Sequence, residues 1–173
     1  MIADVESLIE FLGGLDGAFD APPPEGDPVD LLQHGLQCAA LLRAERPEDL
    51  ELQLAGLVHD IGHAVGDGPG HARAGAEAVR PVLGDRVANL VGLHVEAKRF
   101  LTATEDYELS LASRLSLQRQ GAAMGETEQA EFRRLPEAAD AIALRRADEA
   151  AKVVGLAVPG LEIWAPLFKM PLR

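Results

Sequence analysis

An all-α fold, a helical bundle, is what this sequence predicts, and three observations predict it. Ala, Leu, Glu and Arg dominate the 173 residues, aromatic residues make up only 4%, and apolar residues recur at helical spacing in one segment after another. At 47% hydrophobic the chain can bury a real core, and its length suits a single domain over 1–173.

The first helix is expected from about Asp4 to Leu12, with Val5, Leu8, Ile9 and Leu12 on one face and GGLDG to stop it. Proline and glycine keep FDAPPPEGDP out of helix, so this run is either a plain connector or a loop that covers something. A second helix should start near Pro28 or Val29, capped by Asp27, and carry Leu31, His34, Cys38 and Leu42. The third is expected from Pro47 to Ala64 through LELQLAGLVHDIGHA. GDGPG then leads to a helix that starts near His71 and ends around VLGDR, and another helix holds VANLVGLHVEAKRFL. TATEDYELSLASRLSLQRQGAAMGE is less regular, whereas EQAEFRRLPEAADAIALRRADEAAKVVGL gives one long helix or a pair. The tail, 157–173, should pack on the bundle through Trp164, Leu167 and Phe168, or offer them to a second copy.

Charge narrows the partners. With 28 acidic against 16 basic residues the net charge is −12, which repels nucleic-acid phosphates and anionic membrane surfaces. No apolar run reaches the ~20 residues a membrane span needs, and MIADVESLIE is acidic where a signal peptide is basic, so a cytoplasmic location is expected. The lone cysteine, Cys38, cannot form an internal disulfide or a thiolate metal site, which leaves His, Asp and Glu for any metal.

The five histidines are His34, His59, His63, His71 and His94, each in a helix or at a helix start within apolar surroundings. Taken singly, each reads best as a core histidine satisfied by a carbonyl or carboxylate. Five together, one of them fused to an aspartate, do not. On a regular helix His59 and Asp60 diverge by about 100° and cannot face one metal together, but Asp60 can bridge two metals whose other ligands come from other helices. His34, His71, His94 and Asp148 are the candidates.

These residues carry a resemblance. The order His34, then His59–Asp60, then a late Asp148 resembles the HD-domain superfamily of metal-dependent phosphohydrolases, with His71 and His94 matching the extra ligands of its dinuclear members. The likeness is closer still to the PhnZ-like diiron oxygenases that cleave carbon–phosphorus bonds, distantly akin to myo-inositol oxygenase. It is carried by LQHGLQCAAL, LVHDIGH, GHARAGA, LHVEAKRFL, LSLQRQG and LRRADEAAK, which together span about 29–156.

The resemblance implies an HD-domain helical bundle in which His34, His59, Asp60 and Asp148 hold one iron while Asp60, His71 and His94 hold the other. Donor chemistry alone suits iron, manganese or zinc, and iron follows from the resemblance only. It also implies that His63, Lys98, Ser116 and Arg145 bind a phosphonate, and that Asp60, His63 and Lys98 are catalytic. Helical spacing turns His63, Lys98 and Arg145 toward the same face as their ligand neighbours. The competing readings are a solvated Lys98, an Arg145 that pairs with Asp148 or Glu149, and a Ser116 that caps a helix. Lys152, four after Asp148, should support that carboxylate. The pattern departs ten and seven residues before His34, where a Tyr and a Glu of the oxygenases are replaced by Pro24 and Asp27. Asp27 offers a shorter carboxylate and Pro24 no phenol, so the substrate is open beyond aminophosphonates.

The leading expectation is therefore a diiron enzyme that uses O₂ to oxidise a small hydroxyphosphonate or related anion. The same ligands serve phosphomonoester or nucleotide hydrolysis by a metal-activated water, and a non-catalytic metal-binding module is the third reading.

Overall fold

Most of the longer helices begin where a side chain can close the first turn. The computed structural model describes residues 2–22, 25–66 and 70–172, so Pro24 and residues 67–69 of the glycine-rich loop lie outside the described residues. Helix α1 (Val5–Gly13) follows Asp4, whose carboxylate accepts from Ser7 N while Ser7 Oγ accepts from Asp4 N. Helix α2 (Leu31–Glu45) is capped by Asp30, which accepts from Gln33 N at 2.9 Å, and not by Asp27. The later start has a cause. Leu31 N donates to Ala18 O at 2.8 Å, fixing the entering chain, and Asp27 is drawn instead to Lys152 Nζ at 3.1 Å.

The long helix expected from Pro47 to Ala64 is broken at the place that matters. Helix α3 (Leu50–Val58), capped by Asp49, stops before the His–Asp pair. His59, Asp60 and Ile61 form a tight turn with Ile61 N donating to Val58 O at 3.1 Å, and the short α4 (Gly62–Val65) follows. A Cβ on Gly62 would lie 1.8 Å from His71 O, so glycine lets α4 press its backbone against the start of the next helix.

Helix α5 (His71–Thr104) is kinked at Gly84, whose φ of 80° is outside the helical region, so the two helices expected on either side of VLGDR meet without a loop. The less regular stretch contains α6 (Leu111–Arg119), started by Ser110 with Ser113 N as donor at 3.1 Å. Its apolar stripe is thin, with only Ala112 and Ser113 buried, which hides it from periodicity. Of the two alternatives for the last segment, the pair is what forms, as α7 (Glu126–Phe132) and α8 (Ala138–Ala150). Among the described residues there is no strand, and no helix is long and apolar enough to cross a membrane.

Helices α2, α3, α5 and α8 form the core. Leu42, Leu52, Leu54, Leu90 and Leu144 are fully buried, each contributing roughly 1.5–3 kcal/mol. At Gly35 a Cβ would meet Leu57 O at 2.3 Å, so α2 and α3 approach backbone to backbone and bring His34 close to the end of α3. Arg86 of α5 ties this layer at its far end, donating to Asp49, Glu51 and Asp140 at 2.7–3.1 Å. In the tail, α9 (Leu161–Trp164) and a 3₁₀ turn (Ala165–Lys169) bury Trp164 and Phe168 against the core, while Leu167 is partly buried. Lys169 pairs with Glu6 of α1 at 2.7 Å.

Candidate metal centre and its cleft

The four core helices aim their polar residues at one point. His34 comes from α2, His59 and Asp60 from the turn after α3, His71 and His94 from α5, and Asp148 from α8. His34 Nε2 lies 3.2 Å from His59 Nε2, 3.4 Å from Asp60 Oδ2 and 3.2 Å from Asp148 Oδ1. His59 Nε2 lies 3.3 Å from Asp60 Oδ2. On the other side, His71 Nε2 and His94 Nε2 are 3.1 Å apart, and they stand 3.6 and 3.5 Å from Asp60 Oδ1. The two oxygens of Asp60 thus serve two separate clusters. His59 keeps a helical backbone as it leaves α3, so the division into two clusters rests on the two oxygens of Asp60.

The ring orientations are fixed from behind. His34 Nδ1 is 2.8 Å from Ala151 O, His59 Nδ1 2.8 Å from Gly56 O, and His94 Nδ1 2.7 Å from Val91 O. A carbonyl can only accept, so each Nδ1 carries the hydrogen and each neutral ring presents a bare Nε2 lone pair to the centre. With its rings neutral, the His34–His59 side turns two lone pairs and two carboxylate oxygens on one another, which is the chemistry of a cation site. Arg145 already compensates Asp148, so the partly buried Asp60 is the carboxylate whose place beside such rings costs several kcal/mol unless a cation offsets it. Imidazole and carboxylate donors without thiolate fit two ions of the iron, manganese or zinc kind, one at each oxygen of Asp60.

Electrostatics separate the two halves. Burial lowers the affinity of His34 for a proton, but Asp148 and Asp60 outweigh it and raise its pKa to about 9; His59 is raised likewise. Burial, reinforced by neighbouring positive rings, pushes His71 down to about 4 and His94 to about 3. Burial also works against ionisation of Asp60 and Asp148, yet His59 and Arg145 respectively hold both well below the usual carboxylate range.

Residues 31–151 match the HD domain family. The chain belongs to the HD-domain family. It is 35% identical to the glycine-betaine-forming 1-hydroxy-2-(trimethylamino)ethylphosphonate dioxygenase of Leisingera caerulea, over 93% of this chain and 88% of that protein. It is 38% identical to the hydroxymethylphosphonate dioxygenase of Gimesia maris, over 78% of this chain and 73% of that protein. The matched range contains His59–Asp60.

A cleft of about 90 Å³ opens on the Asp60 side of the HD centre, room for a few waters and so for a ligand of a handful of heavy atoms. The expected substrate residues all reach it. His63, from α4, stacks on His71 at 4.1 Å and brings Nε2 to 3.9 Å from Asp60 Oδ1, so it also qualifies as a further donor to the His71–His94 side. Lys98 is 5% exposed and donates to Ser116 Oγ at 2.8 Å, so it is not a solvated surface lysine. Arg145 is buried and bound by Asp148, Glu149 and Ser113, with its Nε unpartnered among the described residues. Its pairing with both carboxylates and its place in the cleft wall therefore hold together.

Sequence reasoning missed part of this wall. Glu149 accepts from Ser110 N, Ser113 Oγ and Arg145, joining α6 to α8. Lys152 does not back Asp148 as expected; it reaches Asp27 at 3.1 Å, Ser113 Oγ at 2.8 Å and Glu149 at 3.5 Å. It sits just beyond the end of α8, where helical spacing no longer sets its direction. Gln120 joins the wall from the end of α6, in a stretch whose pattern gave no signal.

Proposed function

We propose that this protein is a dinuclear, iron-dependent oxygenase that converts a small 1-hydroxyphosphonate and O₂ into a carboxylate and inorganic phosphate. The observation that carries the reading is the buried ammonium of Lys98. Among the described residues no carboxylate comes within ion-pairing distance of it, and it lines the same cleft as Asp60, His71 and His94. An uncompensated buried cation beside two cation sites suits a doubly charged anion, and a phosphonate is one. Both named relatives are phosphonate dioxygenases, which supports the choice of reaction.

The balance closes without a further reductant. One C–H bond and the C–P bond of the hydroxyphosphonate break, carbon and phosphorus each gain one oxygen, O₂ is reduced by four electrons, and one proton is released. Two iron ions, held by His34, His59, Asp60 and Asp148 and by Asp60, His71 and His94, would activate O₂ and polarise the substrate's hydroxyl and phosphonate oxygens. The chain's own residues position the reactant. Lys98 and Ser116 hold phosphonate oxygens, Arg145 adds its charge from the α8 side, and His63 accepts the released proton at Nε2. The burial of the centre excludes bulk water from it.

The test is anaerobic reconstitution with Fe(II), followed by O₂ uptake and phosphate release with 1-hydroxyphosphonates and phosphomonoesters. Phosphate released with one O₂ consumed per turnover is expected. Phosphate released from a phosphomonoester without O₂ uptake would make the protein a hydrolase and end this reading.

A further inference from the structure

The two named relatives act on hydroxyphosphonates that differ at the far end: one compound carries a trimethylammonium group and the other has no substituent. The cleft of this chain bears on that difference. Its lining includes Asp27, a carboxylate seven residues before His34 that would attract a cationic substituent if it were free. It is not free, because Lys152 Nζ stands 3.1 Å from its Oδ2 and brings a compensating positive charge from the end of α8. Lys152 is itself anchored, with Ser113 Oγ at 2.8 Å and Glu149 at 3.5 Å, so the pair is a built feature of the wall.

Two further observations point the same way. No Phe, Tyr or Trp is among the described residues lining the cleft, so the aromatic faces that bind quaternary ammonium groups are missing. Asp27 Oδ1 and Gln120 Oε1 have no hydrogen-bond partner among the described residues, and both residues line the cleft. Two orphaned acceptors are satisfied by O–H donors from water or from a hydroxylated ligand. A trimethylammonium group has no hydrogen to give them and would leave them buried and unpaired.

We propose that the Asp27–Lys152 ion pair, with Gln120 beside it, makes this cleft selective for 1-hydroxyphosphonates whose carbon-1 substituent is hydrogen or a small uncharged group, against those carrying a quaternary ammonium. The inference rests on the phosphonate reading above and narrows its substrate class. Glu25 is exposed, where a charge is screened and selects weakly, and half-buried Asp20 is engaged by Asp27 N, its Oδ1 accepting at 3.0 Å.

The experiment is anaerobic calorimetric titration of the iron-loaded protein with hydroxymethylphosphonate and with its 2-trimethylammonioethyl analogue, paired with O₂ uptake for each. Hydroxymethylphosphonate is expected to bind roughly 100-fold tighter. In Lys152→Met, which uncovers Asp27, that ratio is expected to shrink by about tenfold. Equal or tighter binding of the trimethylammonium compound by the unaltered protein overturns the proposal, whether or not the variant folds. An intact affinity ratio with no O₂ uptake from either compound bears out the selectivity and removes the oxygenase reading instead.

Discussion

His34 and His59 meet nitrogen to nitrogen, their Nε2 atoms 3.2 Å apart, while the Nδ1 of each is committed to a backbone carbonyl. In their neutral forms the two rings point lone pairs at one another, with Asp60 Oδ2 and Asp148 Oδ1 alongside. Such a cluster is repulsive until something positive enters. Removing bound metal should therefore destabilise the fold as well as the activity. A cation at about 100 times its dissociation constant adds about 2.7 kcal/mol, which for a chain of this size raises Tm by roughly 5–10 °C. Thermal melts with chelator and with Fe(II) or Mn(II) measure it, and coincident melts would refute a cation site here.

Because the two oxygens of Asp60 face different histidine pairs, the occupancy of the two sites should separate by mutation. Elemental analysis after gel filtration is expected to find two cations in the unaltered protein and one in His71→Ala. Asp60→Ala should lose tight binding at both positions, since each cluster takes one of its oxygens. Two cations retained in His71→Ala would show that the His71–His94 pair is a packing feature.

The sites should also differ in their response to pH. His34, lifted to about 9 by Asp148 and Asp60 against the effect of burial, holds an extra proton at pH 7 that an entering cation must displace. Affinity at that site should climb as pH rises toward 9. In the metal-free protein the sign is opposite: stability from the raised His34 pKa is full below about 6.5 and is lost as pH rises through about 9. His71 and His94, near 4 and 3, are already neutral at pH 7, so cation binding there releases no proton from either ring. Proton release in weak buffer, compared between His34→Ala and His71→Ala, distinguishes the two; equal release in both variants contradicts the assignment.

A smaller change tests the backbone that supports the turn. Gly62→Ala would place a methyl 1.8 Å from His71 O, and neither backbone can yield without moving Asp60 or His71. A loss of about 1–3 kcal/mol in stability is expected, with weaker cation binding on the His71 side. Chemical denaturation and metal titration report each effect separately.

The side chains that cluster were legible from the sequence as candidate ligands because metal chemistry restricts residue type: few side chains bind such cations, and five histidines in apolar segments left a short list. The helical class was legible because periodicity repeats along the chain. The break at Val58 was not. LELQLAGLVHDIGHA is helical by composition throughout, and the backbone contact that follows the break, Gly62 against His71, is a distant one. The roles of Lys152 and Asp27 were hidden for a similar reason, since their meeting joins residues 125 apart in the chain by subtraction of their numbers. Local pattern carries spacing within an element; it does not carry which loop lies over which helix end.

Lys98 gives a last prediction in which function and stability move in opposite directions. Burial, with Arg145 adding to it, lowers its pKa from 10.5 to about 8, so the ammonium that faces the cleft is charged at pH 7 but loses its proton just above it. Affinity for a phosphonate dianion should fall as pH rises through 8, and Lys98→Met should remove that limb while raising KM by about 10- to 100-fold. The folded pKa lies below the unfolded one, so the charged form costs stability in full below about 8, and the cost fades between 8 and 10.5. By the size of the shift it is roughly 3 kcal/mol at pH 7. Lys98→Met is therefore expected to melt higher than the unaltered protein while binding substrate worse, as happens where a group is kept for binding at the expense of the fold. Melts and KM measured from pH 6 to 10 decide it: a lower Tm with an unchanged KM would make Lys98 a structural residue.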